Sequence, residues 1–266
     1  MRPYLLYPII IALLLSLFVL LSACGNTTSA DETEPVEEET AAVELESSET
    51  DTPEVEAEEP PKQEDESTIQ YTIARVDGNI DWAAIPELSL DNIQWEPDQG
   101  VRAYGQLCYN NDALYVHLRA VESNIRAEYT EQFSPVYQDS CLEFFFMPDG
   151  YDRYMNFEIN PNGCLYVGIG HDRSDSAPLD ITDNLTELFD IRSGKTDDGW
   201  EVYYTIPLSL LREYYPDCSL SGILHANVYK CGDKTNHKHY LSWNYVGTEK
   251  PDYHRPEYFG QMGFEE

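Results

Sequence analysis

The sequence predicts an all-β fold, a two-sheet antiparallel β-sandwich, over the last two hundred of its 266 residues. Segments of five to nine residues there alternate apolar and polar side chains, as half-buried strands do. Clusters of Gly, Asn, Asp and Pro separate these segments, and such residues favour turns. Apolar positions at helical spacing are confined to short stretches, so the pattern favours a sandwich over helical or mixed folds.

The central prediction is a hairpin formed by residues 139–148 and 153–160 around a Pro148-Asp149-Gly150 turn. Side chains of a strand alternate between its two faces. One face is apolar in both strands and is expected in the core: Leu142, Phe144, Phe146, Met155, Phe157 and Ile159. The other face carries Asp139, Cys141, Glu143, Phe145, Tyr154, Asn156, Glu158 and Asn160. Such a polar row usually faces solvent, and it also suits a ligand with many hydroxyl groups.

The remaining elements are expected on both sides of this hairpin. The predicted strands cover residues 71–76, 101–107, 113–121, 165–169, 190–195, 199–206, 224–231 and 239–243. The predicted helices are short, at 185–189 and 208–214, and residues 172–184 are predicted to form a polar loop.

The N-terminal residues 1–23 are predicted to be a lipoprotein signal peptide. An apolar run leads to Leu21-Ser22-Ala23-Cys24, which resembles a bacterial lipobox in which Cys24 becomes the lipidated mature N-terminus. The alternative is an uncleaved transmembrane helix, since residues 4–23 are uncharged and about long enough to span a bilayer. Both interpretations place the rest of the chain outside the cytoplasm, at a membrane surface.

Residues 24–66 are predicted to be a disordered acidic linker ahead of a folded domain at 67–266. This segment has seventeen acidic residues, Lys62 as its one basic residue and no aromatic residue. It cannot bury enough apolar surface to offset the entropy of ordering, so a tether is expected. Binding of a basic partner by this segment is the alternative.

The charge of the chain argues against nucleic acid as a partner. The linker carries −16 of the formal −33, which leaves −17 for the rest of the chain. Phosphate binding needs a basic surface. Neutral or cationic ligands are therefore favoured.

The cysteine pattern indicates neither a zinc site nor a defined disulfide framework. Apart from Cys24, the chain has Cys108, Cys141, Cys164, Cys218 and Cys231, with no C-x-x-C spacing. We expect most of them to be buried as small apolar residues, and one or two disulfides remain the alternative.

Four motifs in this order resemble the family 9 carbohydrate-binding modules, whose two-sheet sandwich is related to DOMON domains. The motifs are Val76-Asp77-Gly78-Asn79-Ile80-Asp81-Trp82, Val101-Arg102-Ala103-Tyr104 with Ala113-Leu114-Tyr115-Val116, Asp139-Ser140-Cys141-Leu142-Glu143-Phe144-Phe145, and Gly199-Trp200-Glu201-Val202-Tyr203-Tyr204-Thr205-Ile206-Pro207. The resemblance covers about residues 71–264. It implies binding of a saccharide without hydrolysis.

The resemblance also implies an exposed aromatic and polar binding surface. Trp82 and Trp200 belong to motif positions that are structural, which leaves Trp95 and Trp243. We predict a saccharide site formed by six residues: Trp243, His254, Arg255, Tyr154, Asn156 and Glu158. The structural alternatives are a core position for Trp243 and a salt bridge that holds Arg255 to Asp252 or Glu257.

Other functions are weighed against this prediction. A Glu143–Glu158 pair could serve a glycosidase, but acidic residues are common here and no catalytic motif is present. Haem binding would need a Met and His pair that the spacing does not suggest. A structural calcium ion stays open and no cofactor is predicted. The expected partners are a neutral oligo- or polysaccharide and, through the lipid, the cell membrane; docking of a protein partner is the second function considered.

Overall fold

The structure, a computed structural model, describes residues 68–266. The expected signal peptide (1–23), the lipidation site Cys24 and the acidic linker (24–66) lie outside these residues. Within residues 68–266, no helix has both the length and the apolar character needed to cross a membrane.

Strands dominate the described residues, as the alternating pattern predicted. They are β1 (Tyr71–Arg75), β2 (Leu88–Ser89), β3 (Asn92–Ile93), β4 (Arg102–Tyr109), β5 (Ala113–Val121), β6 (Cys141–Pro148), β7 (Tyr154–Ile159), β8 (Leu165–Gly170), β9 (Ala177–Pro178), β10 (Arg192–Lys195), β11 (Gly199–Pro207), β12 (Ile223–Cys231), β13 (Tyr240–Ser242) and β14 (Gly260–Phe264). The helices are α1 (Leu185–Leu188) and α2 (Leu208–Tyr214), and 3-10 turns cover Trp82–Ala84, Val136–Gln138 and Pro256–Tyr258.

Two sheets share strand β1. The first sheet has the order β10-β11-β5-β4-β1, with β2 also on β4. The second has the order β1-β14-β12-β6-β7-β8-β9, with β13 on β12 and β3 on β13. Strand β1 is parallel to its partners: residues 71–73 pair with β14, and residues 74 and 75 pair with β4. Antiparallel pairing elsewhere confirms the predicted sandwich class.

The main apolar core contains the face of the hairpin that was predicted to be buried. Phe144 of β6 pairs with Phe157 of β7, and both rings are fully buried in this core. Trp200 and Tyr204 of β11 reach the same core from the first sheet. Burial of each such side chain contributes roughly 1.5–3 kcal/mol, so this core is the main source of the sandwich's stability.

The opposite face of the hairpin is also buried, which corrects the expected solvent-facing polar row. Residues 129–138 and 240–259 contribute to a second apolar cluster on this face, around Phe145 and Tyr154. Asn156 is fully buried and Glu158 nearly so. The sequence could not reveal this covering layer, because it is built from segments distant from the hairpin.

Four strands were not predicted: β2, β3, β9 and β14. The first three have two residues each, too few to produce an alternating pattern. Strand β14 contains Gly260 and Gly263, and glycine is depleted in strands. A Cβ atom on Gly260 would lie 2.8 Å from the ring of Trp243, so a side chain there would collide with this ring.

Candidate functional site

A cavity of about 560 Å³ opens on the covered face of the second sheet. Its floor is formed by Glu143 of β6 and Glu158 of β7, and Cys231 of β12 also lines it. Its walls are largely aromatic and come from the covering segments and β8: Trp95, Phe133, Tyr137, Tyr166, Tyr240 and Tyr253. The volume lies within the range of roughly 300–1,000 Å³ that is typical of small-molecule sites.

Trp95 forms a fixed part of the aromatic wall. Its ring centroid lies 5.4 Å from that of Tyr240 and 5.3 Å from that of Tyr253. Its indole Nε1 donates to the backbone oxygen of Thr248 at 2.6 Å. These contacts hold the ring in place while one part of it remains exposed to the cavity.

The backbone of Trp95 is in the left-handed region, with φ of 58°. A bulky residue in this conformation costs about 1–3 kcal/mol and is retained only where surrounding contacts enforce it. The preceding Gln94 supplies such contacts, because its side-chain oxygen accepts from Ser242 at 2.6 Å and its amide donates to Val246 O at 2.6 Å. Strain of this kind is characteristic of binding sites.

The two floor carboxyl groups face each other across the hairpin, since Glu143 pairs with Glu158 in the β6–β7 register. They are 2% and 5% exposed. Burial is the largest cause that raises the pKa of Glu143 well above its ordinary value, and the neighbouring Glu158 raises it further. Burial raises the pKa of Glu158 to about 7. The pair therefore retains protons near neutral pH.

Charged side chains at the mouth of the cavity are paired with each other. Arg173 Nε donates to Asp252 Oδ1 at 2.8 Å. Lys238 Nζ lies 3.6 Å from Glu96 and 5.3 Å from the centre of the Tyr240 ring. Two cations, Arg173 and Lys238, therefore lie at the mouth. Among the described residues, neither forms an ion pair with a floor carboxyl group.

His254 and Glu158 are the two predicted site residues that line the cavity. His254 Nδ1 and the Tyr154 hydroxyl form a hydrogen bond of 2.6 Å behind the wall. Burial lowers the pKa of His254 to about 4, so its ring is neutral at neutral pH. Asn156 Nδ2 donates to Glu158 Oε1 at 2.9 Å. Tyr154 and Asn156 thus support the lining residues from below the surface.

The other two predicted residues lie away from the cavity lining. Trp243 packs against the main core, with its ring centroid 6.5 Å from that of Tyr71 in an edge contact. Arg255 Nε donates to Glu257 at 2.8 Å, which is the salt bridge considered as its structural alternative. The structure therefore does not bring Trp243 or Arg255 together with the other four.

The predicted saccharide site left out several lining residues, above all Trp95, Tyr240 and Glu143, although Glu143 was considered with Glu158 as a glycosidase pair. Trp95 was one of two tryptophans left over after the motif positions were assigned. Glu143 shares a strand face with Cys141 and Phe145. The alternation of side chains along the two hairpin strands was therefore enough to predict its position opposite Glu158. Tyr240 offered no local signal, because its role depends on how the covering segment crosses the sheet.

Among residues 68–266 there is no group of three or more His, Cys, Asp or Glu side chains arranged to hold a metal ion. All five cysteines of this part of the chain are free thiols and buried. This agrees with the expectation that most of the cysteines are buried as small apolar residues. The alternative, one or two disulfides, is not observed among residues 68–266.

Comparison with protein families gives a match over residues 74–264 to the family described as Carbohydrate-binding family 9. Comparison with curated proteins gives no match.

The solved structures that share this fold include the following three. A Bacteroides uniformis protein to which carbohydrate binding is ascribed is 26% identical, with a TM-score of 0.64 over 73% of this chain and 98% of that one. A family 9 carbohydrate-binding module of Caldicellulosiruptor kristjanssonii in complex with cellotriose is 14% identical, with a TM-score of 0.52 over 73% and 93%. Such a module from the same organism in complex with glucose is also 14% identical, with a TM-score of 0.51 over 73% and 94%.

Proposed function

This chain belongs to carbohydrate-binding family 9, and from that membership we propose that it is a non-catalytic protein that binds a neutral saccharide in the aromatic cavity. Carbohydrate-binding modules hold sugars without cleaving them. The two fold neighbours solved with cellotriose and with glucose support a neutral ligand, since both of these sugars are uncharged.

The observation that carries the proposal is the aromatic wall above a polar floor in one cavity. The apolar C–H face of a sugar ring packs on aromatic side chains, and its hydroxyl groups need planar donors and acceptors in fixed directions. Trp95, Tyr137 and Tyr240 supply the aromatic surface. Glu143 and Glu158, partly protonated near neutral pH, supply both donors and acceptors.

We further propose that the protein acts outside the cytoplasm as a membrane-anchored lipoprotein. Leu21-Ser22-Ala23-Cys24 supports lipidation at Cys24, and the acidic segment 24–66 would hold the sandwich away from the membrane. A surface-tethered binding domain of this kind can capture saccharides from the cell's surroundings.

The test is binding of the full chain, purified in detergent, to an array of neutral oligosaccharides, followed by calorimetric titration with the best ligand. Tyr137→Ala is the diagnostic variant, because this side chain lines the cavity and is 41% exposed, so its removal should leave folding intact. Loss of one aromatic contact costs about 0.5–1.5 kcal/mol, or roughly two- to tenfold in affinity.

Tyr245→Ala is the matched control. Tyr245 is 55% exposed and lies outside the cavity lining, so its removal should leave affinity unchanged. Absence of binding to every neutral sugar at millimolar concentration would reject the proposal and favour a protein-docking role. Equal losses in both variants would place the binding site elsewhere.

A further inference from the structure

The cavity floor presents carboxyl oxygens that lack hydrogen-bond donors. Glu158 Oε1 accepts from Asn156 Nδ2 at 2.9 Å, and no described residue donates to its second oxygen. The donor beside Glu143 is the thiol of Cys231, whose sulfur is also 3.0 Å from the backbone oxygen of Tyr137. One thiol proton cannot satisfy both acceptors. Apart from the protons that the two carboxyl groups hold themselves, the floor therefore offers acceptors and few donors.

The cations around this floor form their ion pairs with other carboxylates, although the charge of Arg173 acts to lower the pKa of both Glu143 and Glu158. Arg173 is bonded to Asp252, and Lys238 lies beside Glu96. Lys230 is next to Cys231 in sequence, but its ammonium group is bound to Glu122 at 3.1 Å. Among the described residues, no cation therefore forms an ion pair with either floor carboxyl group.

The other charged and titratable groups around the floor add no positive charge that could pair with the two carboxyl groups. His254 is neutral, because burial lowers its pKa to about 4. Asp233 adds a carboxylate to the lining and accepts a hydrogen bond from the Tyr240 hydroxyl. The thiols of Cys141 and Cys231 and the phenols of Tyr166, Tyr229 and Tyr253 have raised pKa values through burial, so they stay uncharged at neutral pH.

We propose that the Glu143–Glu158 floor accepts a protonated amino group, so that the cavity binds an amino sugar more tightly than the neutral sugar with the same ring. An ammonium group offers three donors and no acceptor, which matches oxygens that lack donors. A sugar hydroxyl offers a single donor. This inference rests on the proposed saccharide binding and extends its ligand from neutral sugars to sugars that carry an amine.

The aromatic walls fit the same ligand. A cation within about 6 Å of an aromatic ring face is attracted by it, and Tyr240, Tyr253 and Trp95 surround the space above the floor. Binding of the ammonium also favours the ionised form of the two carboxyl groups. Since the empty pair retains protons near neutral pH, binding of an amino sugar should release a proton from the floor.

The experiment is calorimetric titration of the full chain at pH 6.5 with matched pairs: glucose and glucosamine, galactose and galactosamine, mannose and mannosamine. Each amine is also tested in its N-acetylated form, which keeps the nitrogen and removes the charge. Hydrogen bonds to charged groups are stronger than neutral ones by enough to give roughly tenfold tighter binding. Titration in two buffers of different ionisation enthalpy should reveal proton release with the amine alone.

Glu143→Gln and Glu158→Gln should each weaken binding of the amine by much more than binding of the neutral sugar, so that most of the preference for the amine is lost. Glu131→Gln is the control, because Glu131 is an exposed glutamate outside the cavity lining. Equal affinity for the amine and its neutral counterpart would overturn the inference and leave the proposed function in place. An amine preference that persists in both floor variants would also overturn it, and failure of all sugars to bind would reject both proposals.

Discussion

Glu122 and Lys230 form a buried ion pair between the two sheets, with 3.1 Å between Oε1 and Nζ. Glu122 follows β5 of the first sheet, and Lys230 belongs to β12 of the second. Trp200 Nε1 and the Ser140 hydroxyl donate to the same carboxylate at 2.7 and 3.0 Å. Lys230 also contacts His239 Nε2 at 2.8 Å. The buried charges are thus fully surrounded by partners.

Lys230→Met should destabilise the domain by about 3–5 kcal/mol, since it leaves the Glu122 carboxylate buried without its cation. The double variant Glu122→Gln, Lys230→Met should recover part of this loss, because neither charge remains. Urea unfolding followed by tryptophan fluorescence measures both. Arg102→Met, which breaks an exposed pair with Asp98, is the control and should change stability little. A Lys230→Met protein as stable as the wild type would contradict the assignment.

The floor pair should make stability depend on pH in a defined direction. The folded pKa of Glu143 and of Glu158 is raised from the ordinary 4.5, to about 7 for Glu158. Above pH 4.5 the unfolded chain has therefore released protons that the folded chain still holds. Stability contributed by the pair is full below this pH and is lost as pH rises through the folded pKa values.

Between pH 5 and 7 the wild type should lose stability relative to the Glu143→Gln, Glu158→Gln double variant. Each proton that differs between the two states contributes roughly 1.4 kcal/mol per pH unit. The comparison with a variant is needed because His239 and His254, both with pKa lowered to about 4, make stability rise with pH. This opposite effect is the same in the wild type and in the variant, so it cancels in the difference. Parallel stability curves for the two proteins would rule out the raised pKa values.

Lipidation of Cys24 predicts a specific mass spectrum. Protein extracted from membranes with detergent should yield an acylated peptide that begins at Cys24, because Leu21-Ser22-Ala23 places the cleavage directly before it. Cys24→Ala should abolish the acylated species. An intact peptide across Ala23 and Cys24 in most molecules would instead support the transmembrane alternative.

The alternating pattern made the hairpin and its apolar face predictable. The register between Phe144 and Phe157 follows from two strands that bury the same face around a tight turn. Helix α2 was predicted with the observed bounds, Leu208–Tyr214. Each of these features is determined by residues close together in the sequence.

The cavity wall could not be predicted in the same way. Trp95 takes its position from a left-handed backbone and from contacts to Tyr240 and Tyr253, far along the chain. Trp243 was chosen from the sequence as one of the two tryptophans left after the motif positions were assigned, yet its ring fills the space beside Gly260. Local pattern does not distinguish an aromatic ring that packs on a core from one that lines a cavity.

Trp95 and Trp243 therefore predict opposite phenotypes when each is replaced by alanine. Trp95→Ala removes a wall of the cavity and should weaken saccharide binding by up to about tenfold, while the main core stays intact because Trp95 packs against the second apolar cluster. Trp243→Ala leaves a void against the main core and Tyr71. Full burial of such a ring is worth about 3–5 kcal/mol, so a partly buried one should cost about 2–3 kcal/mol.

Calorimetric titration and thermal unfolding of the two variants separate these effects. Trp243→Phe serves as the matched control, because it retains an aromatic ring beside Gly260 and should recover most of the lost stability. Retained binding by folded Trp243→Ala, together with loss of binding by folded Trp95→Ala, is the expected pair of results. The reverse pair would place the saccharide beside Trp243 and β14 instead of in the cavity.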